Sequence, residues 1–233
     1  MSRQAEFREP NKLPIMHSDF DGVIVQVPKS WNLFGRMTKM GLQPVSGTRE
    51  FLEGVKSKDV VVGNIISRRP DALGRRHTTA RSVSKAGLGG YFGDPRSINL
   101  EGSLTLGRIK KSEEFKARRV LASAEERVTG MIEDKPHKLG FEMLRVMMSS
   151  DSSYEPVVLG VVDHPEAETR VLKLADIARK EFGDSIEIEE RDSGIQIARN
   201  RKGSFVLDVV LLEPFSLATG EAFGKTLQDF YSI

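Results

Sequence analysis

Val60-Val61-Val62-Gly63-Asn64-Ile65-Ile66 is the segment that most restricts what this chain can fold into. A short run so rich in β-branched residues suits a strand covered on both faces. Val157 to Val162 is one more strand of this buried type, Leu13 to Ser18 and Val128 to Ile132 read as further strands, and stretches with helical spacing lie between them. Strands alternating with helices predict an α/β protein built on a parallel sheet with helices on both faces. The first helix is expected over Gly47 to Val55, with Phe51, Leu52 and Val55 on one side. A second is expected to start near Pro70, which suits a first helical turn, and to end at Gly87 as C-cap. Residues 88 to 109 are glycine-rich and are read as holding a small strand or hairpin. Ser112 to Glu126 and Leu139 to Met148 read as further helices.

Ser149-Ser150-Asp151-Ser152-Ser153 is the clearest linker signal. Beyond His164 the pattern changes. A helix is expected over Glu166 to Phe182, strands over Ile186 to Ala198 and Phe205 to Leu212 joined by the turn Asn200-Arg201-Lys202-Gly203, and a last helix over Phe215 to Tyr231. The chain therefore divides into a tail (1–12), a core (13–165) and a C-terminal α+β extension (166–233). Its 233 residues suit one generous domain or a domain with an appended piece.

A net charge of +2, from 35 basic and 33 acidic residues, is too balanced to require nucleic acid or an anionic membrane as partner. The absence of cysteine excludes a disulfide framework and a thiolate metal site. Ser2 to Lys12 is polar, unlike a signal peptide, and no apolar run approaches a membrane span, so the expected location is cytoplasmic.

The chemistry is concentrated where apolar runs stop. Asp19-Phe20-Asp21-Gly22-Val23 follows the first run, Ser67 the second, and Glu133-Asp134 the third. In a parallel sheet these ends share one edge, where open α/β folds bind ligands. Asp19 and Asp21 point the same way if the strand conformation persists, and two adjacent buried like charges call for a cation or a proton. A hard cation with oxygen ligands, Mg2+ above all, fits that need. The competing reading of the string is an Asx turn with Gly22 at positive φ.

The order of Asp19-x-Asp21-Gly-Val, an apolar strand with Ser67, a lysine, and an apolar strand with Glu133-Asp134 resembles the haloacid dehalogenase-like (HAD) hydrolase superfamily, phosphatase branch, over roughly the first two-thirds of the chain. The resemblance implies a HAD-like Rossmannoid fold and a Mg2+-dependent phosphomonoester hydrolase. It makes Asp19 the nucleophile that forms an aspartyl-phosphate, and Asp21 the general acid and base, whose backbone carbonyl also ligates the metal. Ser67 would hydrogen-bond the transferring phosphoryl group; its other reading is a turn residue before Pro70. Gly22 and Arg68 would lie against substrate. Lys116 stands where the family's phosphate-binding lysine often does, with Lys110 and Lys111 as rivals. Asp134 is the implied metal ligand. Glu133 departs from the usual pair of aspartates, and its contact with the metal is left open.

Val23 to Ser46 is too short for a large cap, and residues 88 to 111 have room only for a small insert, so little or no cap is expected. The implied partner is a phosphorylated small molecule, with nucleotides, sugar phosphates and polynucleotide ends all open; Arg68, Arg69, Arg75, Arg76 and Arg81 tilt the reading towards a nucleotide, although such a run is more often a solvated helix face. Dehalogenating relatives lack the acid corresponding to Asp21. The alternative from another class is a catalytically silent phosphate- or metal-binding module acting through its extension. Gly220 to Thr226 mimics a phosphate-binding loop but has one residue too few between its glycines. His17, His77, His137 and His164 show no metal-ligand spacing. Trp31, Leu33 and Phe34 either line the mouth of the site or pack beneath its loop.

Overall fold

In the computed structural model, which describes residues 12–20, 22–26, 43–70, 75–101, 112–199 and 204–232, the apolar runs assemble into one eight-stranded sheet with helices on both faces. β1 (Ile15–Ser18) is followed by β2 (Val25–Gln26) and β3 (Gln43–Pro44), which pair antiparallel with each other outside the main sheet. α1 (Thr48–Lys56) leads into β4 (Val61–Pro70), and α2 (Arg75–Val83) and α3 (Gly89–Phe92) precede β5 (Ile98–Glu101). The alternation continues through α4 (Ser112–Ala124), β6 (Thr129–Glu133), α5 (Pro136–Ser149), β7 (Val157–Val161) and α6 (Ala167–Phe182). β8 (Glu187–Arg191), β9 (Gly194–Arg199), β10 (Phe205–Leu211) and α7 (Leu217–Tyr231) complete the fold.

The strand order is β5-β4-β1-β6-β7-β10-β9-β8, and only β9 runs against the rest. From β1 the chain first builds outward through β4 and β5, then returns to the other side of β1 with β6 and β7. Such a reversal leaves a crevice outside the carboxyl ends of the two central strands. The crevice here lies between β1 and β6.

Every residue of β6 and β7 is buried, as their unbroken apolar character requires. Alternating side chains feed two cores. Val157, Leu159 and Val161 pack with α4, α5 and α6, whereas Val158 joins Ile65, Ile132 and the helices α1 and α7. Glycines let α1 and α7 approach closely. A β-carbon on Gly54 would lie 2.3 Å from the Leu217 carbonyl oxygen, and one on Gly220 would lie 2.1 Å from that of Phe51. Gly220 and Gly224 of the phosphate-loop mimic thus serve helix packing. From the same helix Phe223 and Leu227 reach beneath Gly130 of β6, and Phe223 also meets Gly160 of β7.

Several elements depart from expectation. The helix expected to start near Pro70 does not include it: β4 continues through Ser67 to Pro70, and α2 covers Arg75–Val83 among the described residues. β5 pairs with this end of β4, and a residue before proline is biased towards extended backbone, so the strand outlasts its apolar run. Gly87 does take the left-handed conformation expected at a helix end, with φ 80°. Ile186 to Ala198 is two strands, because the chain turns at Asp192-Ser193 and re-enters the sheet at Gly194, φ 153°. α5 starts at Pro136, ahead of the expected Leu139, with proline in its first turn. Residues 166–233 supply three strands of the same sheet, with β10 parallel to β7, as well as α6 and α7. No helix among the described residues is long and apolar enough to cross a membrane.

Candidate functional site

β1 and β6 run side by side with Ser18 opposite Ile132, and the Asp19 amide N–H donates to the Ile132 carbonyl at 2.9 Å. This last rung carries Asp19 level with Glu133. One carboxylate oxygen from each of Asp19, Glu133 and Asp134 lies within 4.8 Å of the others. Asp19 and Glu133 are buried, and Asp134 is partly buried.

Lys116 closes the cluster from α4. Its side chain is 1% exposed, and its ammonium lies 2.9 Å from Asp19 Oδ2 and donates to Glu133 Oε2 at 2.6 Å. Helical spacing explains its burial. Lys116 stands four residues before Val120, on the stripe that carries Ala117, Leu121 and Ala124 into the core. That spacing was a usable sequence signal. Lys110 and Lys111, its rivals, lie outside the described residues, as do Asp21, Trp31, Leu33 and Phe34.

Most of the carboxylate oxygens are committed. Asp19 Oδ1 accepts the Phe20 N–H at 2.7 Å, and Glu133 Oε1 accepts the N–H groups of Asp134 and Lys135, each at 3.1 Å. Asp134 Oδ2 accepts from the Lys135 ammonium at 2.6 Å. Asp134 Oδ1 is buried and has no partner. Gly22 brings the loop after β1 back beside this acid: its φ is 77°, and a β-carbon there would stand 4.0 Å from Asp134 Oδ2. Ser67 is buried in the adjacent strand, two residues beyond Ile65, the partner of Ser18, and Arg68 follows it. The structure thus gathers Asp19, Glu133, Asp134 and Lys116, with Ser67 on the neighbouring strand towards the same sheet edge.

Burial pushes the Glu133 carboxyl up, the Asp19 charge adds to this, and Lys116 offsets only part, leaving it at about 8. For Lys116 burial works against the charge, but Glu133 and Asp19 outweigh it and raise the ammonium above its ordinary value. Burial would also raise Asp134; its side-chain interactions with Glu133 and Lys135 prevail and hold it below the usual carboxylate range. Beneath the site His17 is neutral. Its Nδ1 accepts the Asn64 N–H at 3.0 Å, which leaves Nε2, 2.9 Å from Ser123 Oγ, to carry the proton. Burial is the main cause that lowers this imidazole to about 4.

Two further residues touch the site that the sequence did not point to. Lys135 pairs with Asp134, and Arg170 Nη1 donates to the Asp134 carbonyl at 2.6 Å. Lys135 adjoins the acids in sequence, but nothing local marks Arg170, which arrives on α6. A metal ion fits this donor set in kind: the oxygens are hard, they converge, and Asp134 Oδ1 is an orphan. Comparison of the chain with protein-family models, with curated proteins and with solved structures finds no match.

Proposed function

We propose that this chain is a Mg2+-dependent phosphomonoester hydrolase of the haloacid dehalogenase-like class, working through an aspartyl-phosphate on Asp19. One observation carries the reading: Asp19, Glu133 and Asp134 converge where the strand order reverses, the first two on the buried Lys116 ammonium, with Asp134 Oδ1 left without a partner. The alternation of β1, β4, β5, β6 and β7 with helices supports a HAD-like Rossmannoid core.

An Asp19 carboxylate oxygen attacks phosphorus, an O–P bond forms as the ester P–O bond breaks, and Asp21 gives its proton to the departing alkoxide. Water then attacks the phosphorus of the aspartyl-phosphate while Asp21 takes its proton, which releases phosphate and restores the Asp19 carboxylate. The phosphate dianion and the attacking carboxylate repel each other, and Lys116, held charged between two acids, offsets that repulsion. Ser67 hydrogen-bonds the phosphoryl oxygens, and Gly22 and Arg68 flank the substrate. Asp19, the Asp21 carbonyl and Asp134 would hold Mg2+, which would supply further positive charge against the phosphoryl group. Glu133, with both oxygens already engaged, orients Lys116 and the backbone of Asp134 and Lys135.

The substrate class is a phosphorylated metabolite, with a nucleotide among the candidates. The test is Mg2+-dependent phosphate release from a panel of phosphate esters, with Asp19→Asn beside the parent chain. Activity should fall by at least about 10³-fold in the variant, the order expected when a covalent nucleophile is lost. Undiminished hydrolysis would remove Asp19 from the role.

A further inference from the structure

Cations that this chemistry does not use gather beside it. A cavity of about 420 Å³ opens near the first turns of α5 and α6, with Lys135, His137, Lys138, Glu166, Arg170 and Lys173 in its wall. These make four cations against one carboxylate, in a chain whose net charge is only +2. The lone acid is already engaged, since Arg170 Nη2 donates to Glu166 at 2.7 Å. Arg170 also holds the Asp134 carbonyl, so its guanidinium forms a fixed wall. Lys138 and Lys173 are exposed and have no ion-pair partner among the described residues. His137 Nδ1 is buried without a hydrogen-bond partner. Burial first, then Lys173, Lys138, Arg170 and Lys135, push this imidazole below its ordinary value.

The cavity and the acid cluster share two groups. Lys135 lies in the cavity wall and pairs with Asp134, and Arg170 in the same wall holds the Asp134 backbone. An anion in the cavity therefore stands about one side chain away from the acids. Several lysines in the wall of one cavity suit a phosphate, a compact dianion with several acceptor oxygens. The volume is that of a site for one small ligand, and the balanced overall charge offers no extended track for a polynucleotide backbone.

We propose that this cavity holds a second phosphate of the substrate, so that the substrate is a small molecule bearing two phosphates, one attacked at Asp19 and the other held by Lys135, Lys138 and Lys173. The inference rests on the phosphatase reading of the acid cluster. Only the distal phosphate depends on Lys138 and Lys173, so the two claims separate experimentally.

The test uses the full chain carrying Asp19→Asn with Mg2+ present, so that esters bind without turnover. Calorimetry compares linear alkanediol monophosphates and bisphosphates of increasing length. At the length that spans the two sites the bisphosphate should bind roughly tenfold or more tightly than the monophosphate, the gain expected from a further set of charge-assisted hydrogen bonds. Adding Lys138→Ala with Lys173→Ala should erase that gain, and arginine at both positions should keep it. With Asp19 intact, the double alanine variant should hydrolyse para-nitrophenyl phosphate as fast as the parent. Equal binding of both ligand types at every length, or a gain that survives the alanines, overturns the proposal. So does a single-stranded oligonucleotide that displaces the best bisphosphate at lower concentration. If the parent hydrolyses no ester, the phosphatase reading and the two-phosphate substrate fall together, while the lysine-dependent binding still decides whether the cavity takes phosphate.

Discussion

Asp208 in β10 and Asp19 at the end of β1 are both buried carboxylates of the same sheet, yet their surroundings differ. Asp208 meets one cation, the guanidinium of Arg191 at 3.2 Å, and that cation is 38% exposed. Burial pushes Asp208 up, and Arg191 offsets only part of the shift. Asp19 meets an ammonium that is 1% exposed and shared with Glu133. Around it three acids face two lysines, and one carboxylate oxygen has no partner. The first arrangement is a local tie between β8 and β10, with water at one end. The second is a largely buried cluster with more acids than lysines. Burying several like charges together is costly, which makes this cluster a stronger candidate for a site than the Asp208 pair.

Removing Lys116 should expose this difference most sharply. Lys116→Met leaves Asp19 and Glu133 buried without their cation and should cost about 3–5 kcal/mol in urea unfolding. Adding Glu133→Gln to that variant should recover part of the loss. Next comes pH. Glu133 titrates near 8 in the folded chain against 4.5 ordinarily, so the native state keeps a proton that the unfolded chain has lost. Its stabilising contribution is complete below 4.5 and disappears as pH rises to about 8. In metal-free buffer the stability of the parent chain should therefore decline across that window, and Glu133→Gln should flatten the decline.

His17 acts with the opposite sign. Its imidazole sits near 4 when folded and 6.5 ordinarily, so its contribution is present above 6.5 and is lost as pH falls to about 4. The loss should be about 3 kcal/mol, and His17→Asn should remove this pH dependence. Asp208→Asn should be the mildest change, within about 1 kcal/mol, because the Arg191 guanidinium is 38% exposed, stays hydrated and keeps Glu189 as a partner at 3.1 Å. Phosphate release should be unaffected in that variant. A large loss there would erase the contrast with Asp19.

Much of the site-bearing half is legible because strands covered on both faces must be apolar throughout. A charge that ends such a run stands out, as at Asp19 and Glu133. The lysine is harder to read. Lys116 is one of several charged residues on α4, and only its place on the stripe that enters the core, which matters once the helix is docked, sets it apart. The turn at Asp192-Ser193-Gly194 carried its own signal, but the apolar residues on either side, Ile186, Ile188, Ile195 and Ile197, read as one continuous strand. Arg170 shows the limit most clearly. Its contact with the Asp134 carbonyl spans 36 residues and exists only because α6 packs beside α5. The tie between residues 166–233 and the rest was equally hidden, since the pairing of Leu207 with Val157 is a long-range match between two similar apolar strands.

The support that α7 gives β6 and β7 has a consequence for biosynthesis. A nascent chain that has emerged as far as residue 165 already holds Asp19, Lys116, Glu133 and Asp134, yet Gly130 and Gly160 still lack the Phe223 ring that covers them. The ribosome must deliver nearly seventy more residues, roughly several seconds of translation, before that floor is laid. Cover for these two glycines beneath the acid-bearing strands thus waits for α7.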